Sequence, residues 1–176
     1  NPTSYFAEIV SRATNAEVAI NGNPLLVFLN NWLSSLGIVN WFNRSSWVDG
    51  IPSRGAVDGL TAVFFIVGLV FMLGQYRKTK RWLDLVLILL FPLFLVPSAM
   101  ALAFPNEVPS LSRALGTAFP TFMIAAIGLT GTISAITQAR GYSGRILAIF
   151  LAVLAGGLIA FQNHGLIFGE YVSNYT

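Results

Sequence analysis

Residues 56–76 read AVDGLTAVFFIVGLVFMLGQY, and Asp58 is the only charged residue among them. A helix needs about 20 apolar residues to cross the hydrocarbon core of a bilayer, which is roughly 30 Å thick. Three further stretches carry at most one acid each, at residues 82–104, 114–137 and 146–163. Lipid offers the backbone no hydrogen-bond partner, so each stretch must pair its own amides as a helix. The sequence therefore predicts an all-α membrane protein with about four transmembrane helices.

The basic residues are concentrated in two short loops between the predicted spans. The chain is 55% hydrophobic and only 10% charged, whereas soluble domains are about 25% charged. Residues 77–81 and 138–145 contain six basic residues and no acid, namely Arg77, Lys78, Lys80, Arg81, Arg140 and Arg145. The positive-inside rule makes both loops cytoplasmic and both termini extracytoplasmic. The pI near 9.6 thus reflects membrane topology, and nucleic acid is not an expected partner.

The region before the first span, residues 1–55, is predicted to hold extracytoplasmic interfacial helices and a loop. Asn23 followed by Pro24 is typical of a helix start, because asparagine caps a helix and proline fits its first turn. Beyond them, leucines and aromatic residues recur at helical spacing, and asparagines and serines fill the opposite face. We expect an amphipathic helix in the outer interface that docks on protein, with binding to the lipid surface as the alternative. Residues 4–13 are a candidate for a second short helix.

The predicted transmembrane region, residues 56–164, carries packing signals, and residues 165–176 follow it as an extracytoplasmic tail. Pro92 and Pro97 lack amide hydrogens, so we expect them to kink the second span near its outer end. In the fourth span small residues recur every four positions and form a ridge for helix packing: Ala148, Ala152, Gly156 and Ala160. These signals indicate ordinary bundle packing, with a ligand cavity at the proline kink as the alternative.

Candidate binding residues lie in the outer loops. Arg113 directly precedes the third span, where a guanidinium and the free amides of a helix start can bind a phosphate together. Glu107 in the same loop is its expected ion-pair partner. Arg54 is a second candidate for a phosphate contact, and Asp58 is the acid expected to pair with it.

Other titratable residues give weak signals. Asp84 is expected to be an interfacial acid partnered by the basic loop that precedes it. His164 is the only histidine and the chain has no cysteine, so we predict no metal site, no cofactor and no catalytic residue. Its position at a span end favours an interfacial role over ligation of a metal or pigment.

The loop at residues 109–120, PSLSRALGTAFP, lies ahead of a span rich in alanine and glycine. This arrangement resembles the late membrane region of bacterial GT-C glycosyltransferases. These enzymes are polytopic relatives of the dolichyl-phosphate-mannose–protein mannosyltransferases and of the aminoarabinose transferase of lipid A. Residues 51–58, IPSRGAVD, look like the segment before an earlier span of such proteins. Residues 1–12, NPTSYFAEIVSR, are similar to a short external motif found before that.

The resemblance implies the C-terminal membrane part of an enzyme of the bacterial cytoplasmic membrane. Such enzymes take a sugar from a polyprenyl-phosphate donor and transfer it to an acceptor on the outer face. Their catalytic acid lies in a first external loop that has no counterpart here, and a histidine common upstream of the arginine is replaced by serine. The donor-phosphate side would then involve Arg113, with Arg54 and Glu107 beside it.

Two other functions compete with this interpretation. The first is a non-enzymatic accessory subunit of a larger respiratory, photosynthetic or transport complex, favoured by the short chain and the small-residue ridge. The second is a transporter fragment, which is disfavoured because no span carries paired charges at mid-membrane. Membrane lipids and other transmembrane helices are expected partners in every case.

Overall fold

The computed structural model describes residues 20, 22–41, 51 and 53–173. All regular structure within these ranges is helical: α1 (Pro24–Ser35), α2 (Gly59–Thr79), α3 (Trp82–Phe94), α4 (Val96–Ala99) and α5 (Ala118–His164). Two short 3₁₀ turns separate α4 from α5, and a π-helical stretch extends α5: Pro105–Glu107, Leu115–Thr117 and Gly165–Tyr171. The helix predicted over residues 4–13 and the motif at residues 1–12 lie outside the described residues.

Three helical segments are long and apolar enough to cross a membrane: Gly59–Thr79, Trp82–Ala99 and Leu115–Tyr171. They expose large apolar side chains along much of their length, among them Val70, Leu89, Phe150, Val153 and Phe161. Apolar surface of this extent is unfavourable in water and suits contact with lipid. The prediction of an all-α fold with membrane-spanning helices is therefore confirmed for the described part of the chain, and the apolar helices indicate an integral membrane protein.

The long helix α5 consists of two helices that reverse direction at Gly141. This glycine has φ 59° and ψ −135°, a conformation that is strained for residues with a side chain. We name residues 118–140 α5a and residues 142–164 α5b. At the far end of α5b, Asn163 Nδ2 lies 3.3 Å from Asp58 Oδ2. Helix α5b therefore runs back along the bundle and ends beside the start of α2.

Helices α2 and α5a run parallel and cross closely at two glycines. Their contacts join Phe64 and Gly68 of α2 to Ile124 and Gly128 of α5a, and Phe71 to Gly131 further along. A Cβ on Gly68 or Gly128 would collide with a backbone carbonyl of the opposite helix. Because the helices are parallel, residues 53–58, 105–117 and 163–171 lie at one end of the bundle, called the Asp58 end. Residues 77–82 and 138–145 lie at the other, called the Arg77 end.

The second apolar segment is interrupted near the Asp58 end. Helix α3 ends at Phe94, Leu95 breaks the helix, and α4 continues only to Ala99. Pro92 and Pro97 cannot donate to the carbonyls four residues earlier. The interruption lies between the two prolines, in the part of the span where the sequence predicts a kink, and the helical segment ends before the residue 104 expected from hydropathy.

The main core lies in the half of the bundle next to the Asp58 end. It combines residues of α2, α3 and α5a with residues of the connecting segments: Ile38, Val39, Phe65, Met72, Phe91, Leu95, Ala114, Ile124 and Ala125. The rings of Phe65 and Phe91 pack 5.1 Å apart at a tilt, a favourable aromatic geometry. Ala56 N donates to Ile38 O at 2.7 Å. Ile38 and Val39, which follow α1, are therefore part of the bundle.

Candidate functional site

Helix α1 faces the bundle with Asn31, Ser35 and the partly buried Trp32. Asn31 is only 2% exposed and Ser35 is fully buried, whereas Leu25 is 64% exposed. Three more leucines on the same side of the helix as Leu25 are also exposed, namely Leu26, Leu29 and Leu33. The cap predicted at Asn23 is confirmed, since its Oδ1 accepts from Leu25 N at 2.9 Å. The helix docks on this same chain, and its docking face combines the polar side chains of Asn31 and Ser35 with Trp32, which packs against the core.

Two side chains of α1, Asn31 and Trp32, donate hydrogen bonds to backbone carbonyls of the interrupted segment α3–α4 and the residues that follow it. Asn31 Nδ2 donates to Ala99 O and Ala101 O, both at 3.3 Å. Trp32 Nε1 donates to Pro92 O at 2.9 Å. These carbonyls lie where the helix breaks and ends, and they need partners away from water. The place considered for a ligand at the proline kink is therefore contacted by Trp32.

Asp58 is a buried carboxylate that directly precedes α2. It is 6% exposed, and its Oδ1 accepts from Thr61 N at 2.9 Å. Its Oδ2 accepts from Thr61 Oγ1 at 2.7 Å and from Asn163 Nδ2 at 3.3 Å. The side chain therefore caps α2 and ties α5b to it.

Arg54 lies in the turn before α2 and forms an ion pair with Glu170. The distance from Nη1 to Oε2 is 2.8 Å, and both side chains are almost half exposed. The pairing of Arg54 with Asp58 expected from the sequence is replaced by this contact. The reason is that Asp58 is used to cap α2, while the helical continuation after α5b brings Glu170 to the same end. The residues predicted as a tail are thus helical up to Tyr171.

Arg113 and Glu107 form the ion pair that the sequence predicts. The distance from Nη2 to Oε2 is 3.0 Å, with 39% of the arginine side chain and 56% of the glutamate side chain exposed. The loop between them is fixed by Ser110 N, which donates to Ser98 Oγ at 3.1 Å. The α-helix begins only at Ala118, so a 3₁₀ turn separates Arg113 from the helix start. The guanidinium is positioned by the loop.

An apolar groove of about 270 Å³ lies between α2, α5a and α5b. Leu60 and Phe64 line it from α2, Ile133 from α5a, and Ala152 and Leu158 from α5b. Two residues of the predicted small-residue ridge, at positions 148 and 152, are among its walls. One of its lining residues, Leu60, follows Asp58 by two positions in the sequence. An apolar chain matches its lining.

Two further sequence candidates have local surroundings only. The ring of His164 packs 4.9 Å from that of Phe168. Asp84 Oδ2 is buried and has no hydrogen-bond partner, so the predicted partner from the basic loop is not found for this atom. Among the described residues, no three histidine, cysteine, aspartate or glutamate side chains are grouped to hold a metal ion.

Sequence reasoning missed several residues that build this end of the molecule. Asn163 carries a usable signal, since it is a polar side chain at the end of an apolar stretch. Glu170 carries none, because nothing local links it to an arginine 116 residues earlier. Asn31 and Trp32 belong to the predicted helix, but nothing in the sequence indicates their hydrogen bonds to the carbonyls of Ala99, Ala101 and Pro92. No protein-family model, curated protein or solved structure matches this chain, and its function is argued from the geometry of the Asp58 end.

Proposed function

We propose that this chain is the membrane-embedded part of a glycosyltransferase that uses a polyprenyl-phosphate-linked sugar on the outer face of a bacterial cytoplasmic membrane. Its share of the reaction is to hold the donor phosphate, with the catalytic acid lying outside the chain. The observation that carries the proposal is the placement of Arg113 and Arg54 at one end of the bundle. Both guanidinium groups are partly exposed and held by carboxylates.

The proposal includes four membrane spans. Helix α2, the segment α3–α4, α5a and α5b would each cross once, with the reversal at Gly141 inside. The contact between Asn163 and Asp58 supports this count, because α5b returns to the level at which α2 begins. The six basic residues at the Arg77 end favour a cytoplasmic location for that end, which places the Asp58 end outside.

A phosphate can take the place of the carboxylate in either ion pair. Exposed ion pairs contribute only about 0–1 kcal/mol, so exchanging the Glu107 carboxylate for a phosphate costs little. A guanidinium binds phosphate through two parallel N–H donors. The isoprenoid chain of a donor would lie in the apolar groove lined by Leu60 and Leu158, while the donor phosphate would lie at the Asp58 end.

Donor binding by the chain in lipid nanodiscs tests the proposal, with farnesyl phosphate as the probe. A charge-assisted bond is worth about 1.5–3 kcal/mol, so Arg113→Ala should weaken binding by roughly tenfold to more than a hundredfold. Arg113→Lys retains the charge but not the two parallel N–H donors, so its affinity for the probe should lie between that of the unaltered chain and that of Arg113→Ala. Glu107→Gln should not weaken binding, because it only releases the arginine.

Arg145→Ala at the Arg77 end is the matched control and should bind the probe normally. An equal loss in Arg145→Ala would contradict the proposal, since the probe would then sense overall charge. A second contradiction would be Arg113→Ala protein that melts at a lower temperature and binds the probe as before. In that case Arg113 would only anchor its loop.

An accessory subunit of a larger membrane complex is a second candidate, favoured by one observation. Gly156 and Gly157 of α5b have open space where a side chain would stand, and a further transmembrane helix could pack there closely. Purification in a mild detergent distinguishes the two candidates. A stoichiometric partner that is lost in Gly156→Leu, from a chain that does not bind farnesyl phosphate, would favour the accessory role.

A further inference from the structure

The Arg77 end collects six basic side chains from two loops. Because α2 and α5a run parallel, residues 77–81 and 138–145 come to the same end of the bundle. All six are exposed: Arg77, Lys78, Lys80, Arg81, Arg140 and Arg145. The ion pairs recorded among the described residues join Arg54 to Glu170 and Arg113 to Glu107, both at the opposite end. The six charges therefore lack acidic partners within the described residues.

The backbone holds the first four of these charges at one corner. Lys80 has φ 55° and donates its N–H to Tyr76 O, which ends α2. Helix α3 begins two residues later, at Trp82. The Nζ atom of Lys80 lies 5.3 Å from the centre of the Tyr76 ring, a favourable cation–π distance. The acid that follows, Asp84, has its Oδ2 buried without a hydrogen-bond partner, and the ion pairs recorded among the described residues do not include it.

Aromatic side chains stand beside the charges. Trp82 is 67% exposed and Tyr142 is 80% exposed, and each follows or lies within one of the basic loops. Indole and phenol rings are favoured at the headgroup level of a bilayer, where one part is apolar and the other polar. A binding site for a soluble anion has no need of such rings. The combination therefore fits a lipid surface.

We propose that the Arg77 end binds the phosphate-bearing headgroups of anionic phospholipids in the adjacent leaflet. Clusters of four to eight basic residues next to a transmembrane helix attract such lipids. The proposal goes beyond orientation, because charges that only set topology need contact nothing but water. It is independent of sugar transfer, which concerns the opposite end.

Native mass spectrometry of the chain with phosphatidylglycerol or phosphatidylcholine tests the proposal. The variant Arg81→Gln/Arg140→Gln removes one charge from each loop and leaves four to preserve the topology. The control Asn106→Asp/Ser173→Asp lowers the net charge by the same two units at the opposite end, at two exposed positions that belong to neither proposed site. We expect the unaltered chain to retain phosphatidylglycerol preferentially. The first variant should lose roughly tenfold of this preference, and the control should keep it.

Three results would overturn the proposal. One is equal retention of the two lipids by the unaltered chain. Another is an equal loss in both variants, which would indicate a response to net charge alone. The third is displacement of the lipid by millimolar glycerol phosphate, which would identify a site for soluble phosphates. A failure of farnesyl phosphate to bind at Arg113 would leave this proposal unaffected.

Discussion

At the Asp58 end every acid that the structure describes has a partner, whereas at the Arg77 end six basic side chains have no acidic partner among the described residues. Asp58, Glu107 and Glu170 each accept a hydrogen bond or form an ion pair. The same end contains the docked helix α1 and most of the core. The chain therefore uses its polar groups to hold the helices together at the Asp58 end and leaves exposed positive charge at the Arg77 end.

The largest effect is expected where the helices cross within the core half. In Gly128→Ala the new Cβ would collide with the carbonyl of Phe64, so the helices must separate. We expect the free energy of unfolding to fall by about 3 kcal/mol. Gly74→Ala on α2 is the control, since nothing lies within 4 Å of its Cβ position. Similar losses in the two variants would mean that the close crossing is not what holds the bundle together.

A second effect should come from the polar docking of α1. Asn31→Leu removes the donor to Ala99 O and Ala101 O and should lower the free energy of unfolding by about 1–3 kcal/mol. Asn30→Leu changes an exposed neighbour and should have little effect. Thermal unfolding of both variants in the same detergent gives the comparison. A stabilised Asn31→Leu chain would show that α1 does not dock by its polar side.

Substitution of Asp58 and of Asp84 compares directly how an acid at each end contributes to the free energy of unfolding. Asp58→Ala removes the cap of α2 and should lower the free energy of unfolding by about 1 kcal/mol. Asp84→Ala should cost less, because its Oδ2 atom has no hydrogen-bond partner to lose. Chemical denaturation of the two variants measures the difference. A larger loss for Asp84→Ala would reverse the contrast between the ends.

The smallest effect is expected at the exposed pair of Arg54 and Glu170. Arg54→Gln and Glu170→Gln should each lower the free energy of unfolding by less than about 1 kcal/mol, because both side chains are well solvated. The loss should shrink further in high salt, which screens such pairs. Melting curves at low and high ionic strength check this. A loss that is large and independent of salt would indicate that the pair is a structural clamp.

The helices could be predicted because a bilayer requires long uncharged stretches, and the ion pair of Arg113 could be predicted because its partner is six residues away. The docking of α1 could not. In water an amphipathic helix buries its apolar side, but beside lipid the leucines can stay outside while Asn31 serves carbonyls freed by a broken helix. The residue pattern is the same in water and beside lipid, and the surrounding medium decides which side of the helix is buried.

The sequence predicts where the chain reverses between α5a and α5b, but not the backbone structure of the reversal. An eight-residue loop was expected at residues 138–145, yet the change of direction rests on the backbone of Gly141. Arg140 and Arg145 consequently belong to helical turns. The pairing of Arg54 with Glu170 depends on this reversal, and long-range contacts of this kind have no local signature in the sequence.

We propose that the chain crosses the membrane four times with the Asp58 end outside. Because the chain has no cysteine, single substitutions report cleanly on location. Ser112, Ser143 and Ser173 are exposed, whereas Ser110 is buried. In intact cells a membrane-impermeant thiol reagent should label Ser112→Cys and Ser173→Cys, and should label Ser143→Cys only after lysis. Labelling of Ser143→Cys without lysis would contradict the orientation, and protection of Ser173→Cys beside a labelled Ser112→Cys would contradict the fourth span.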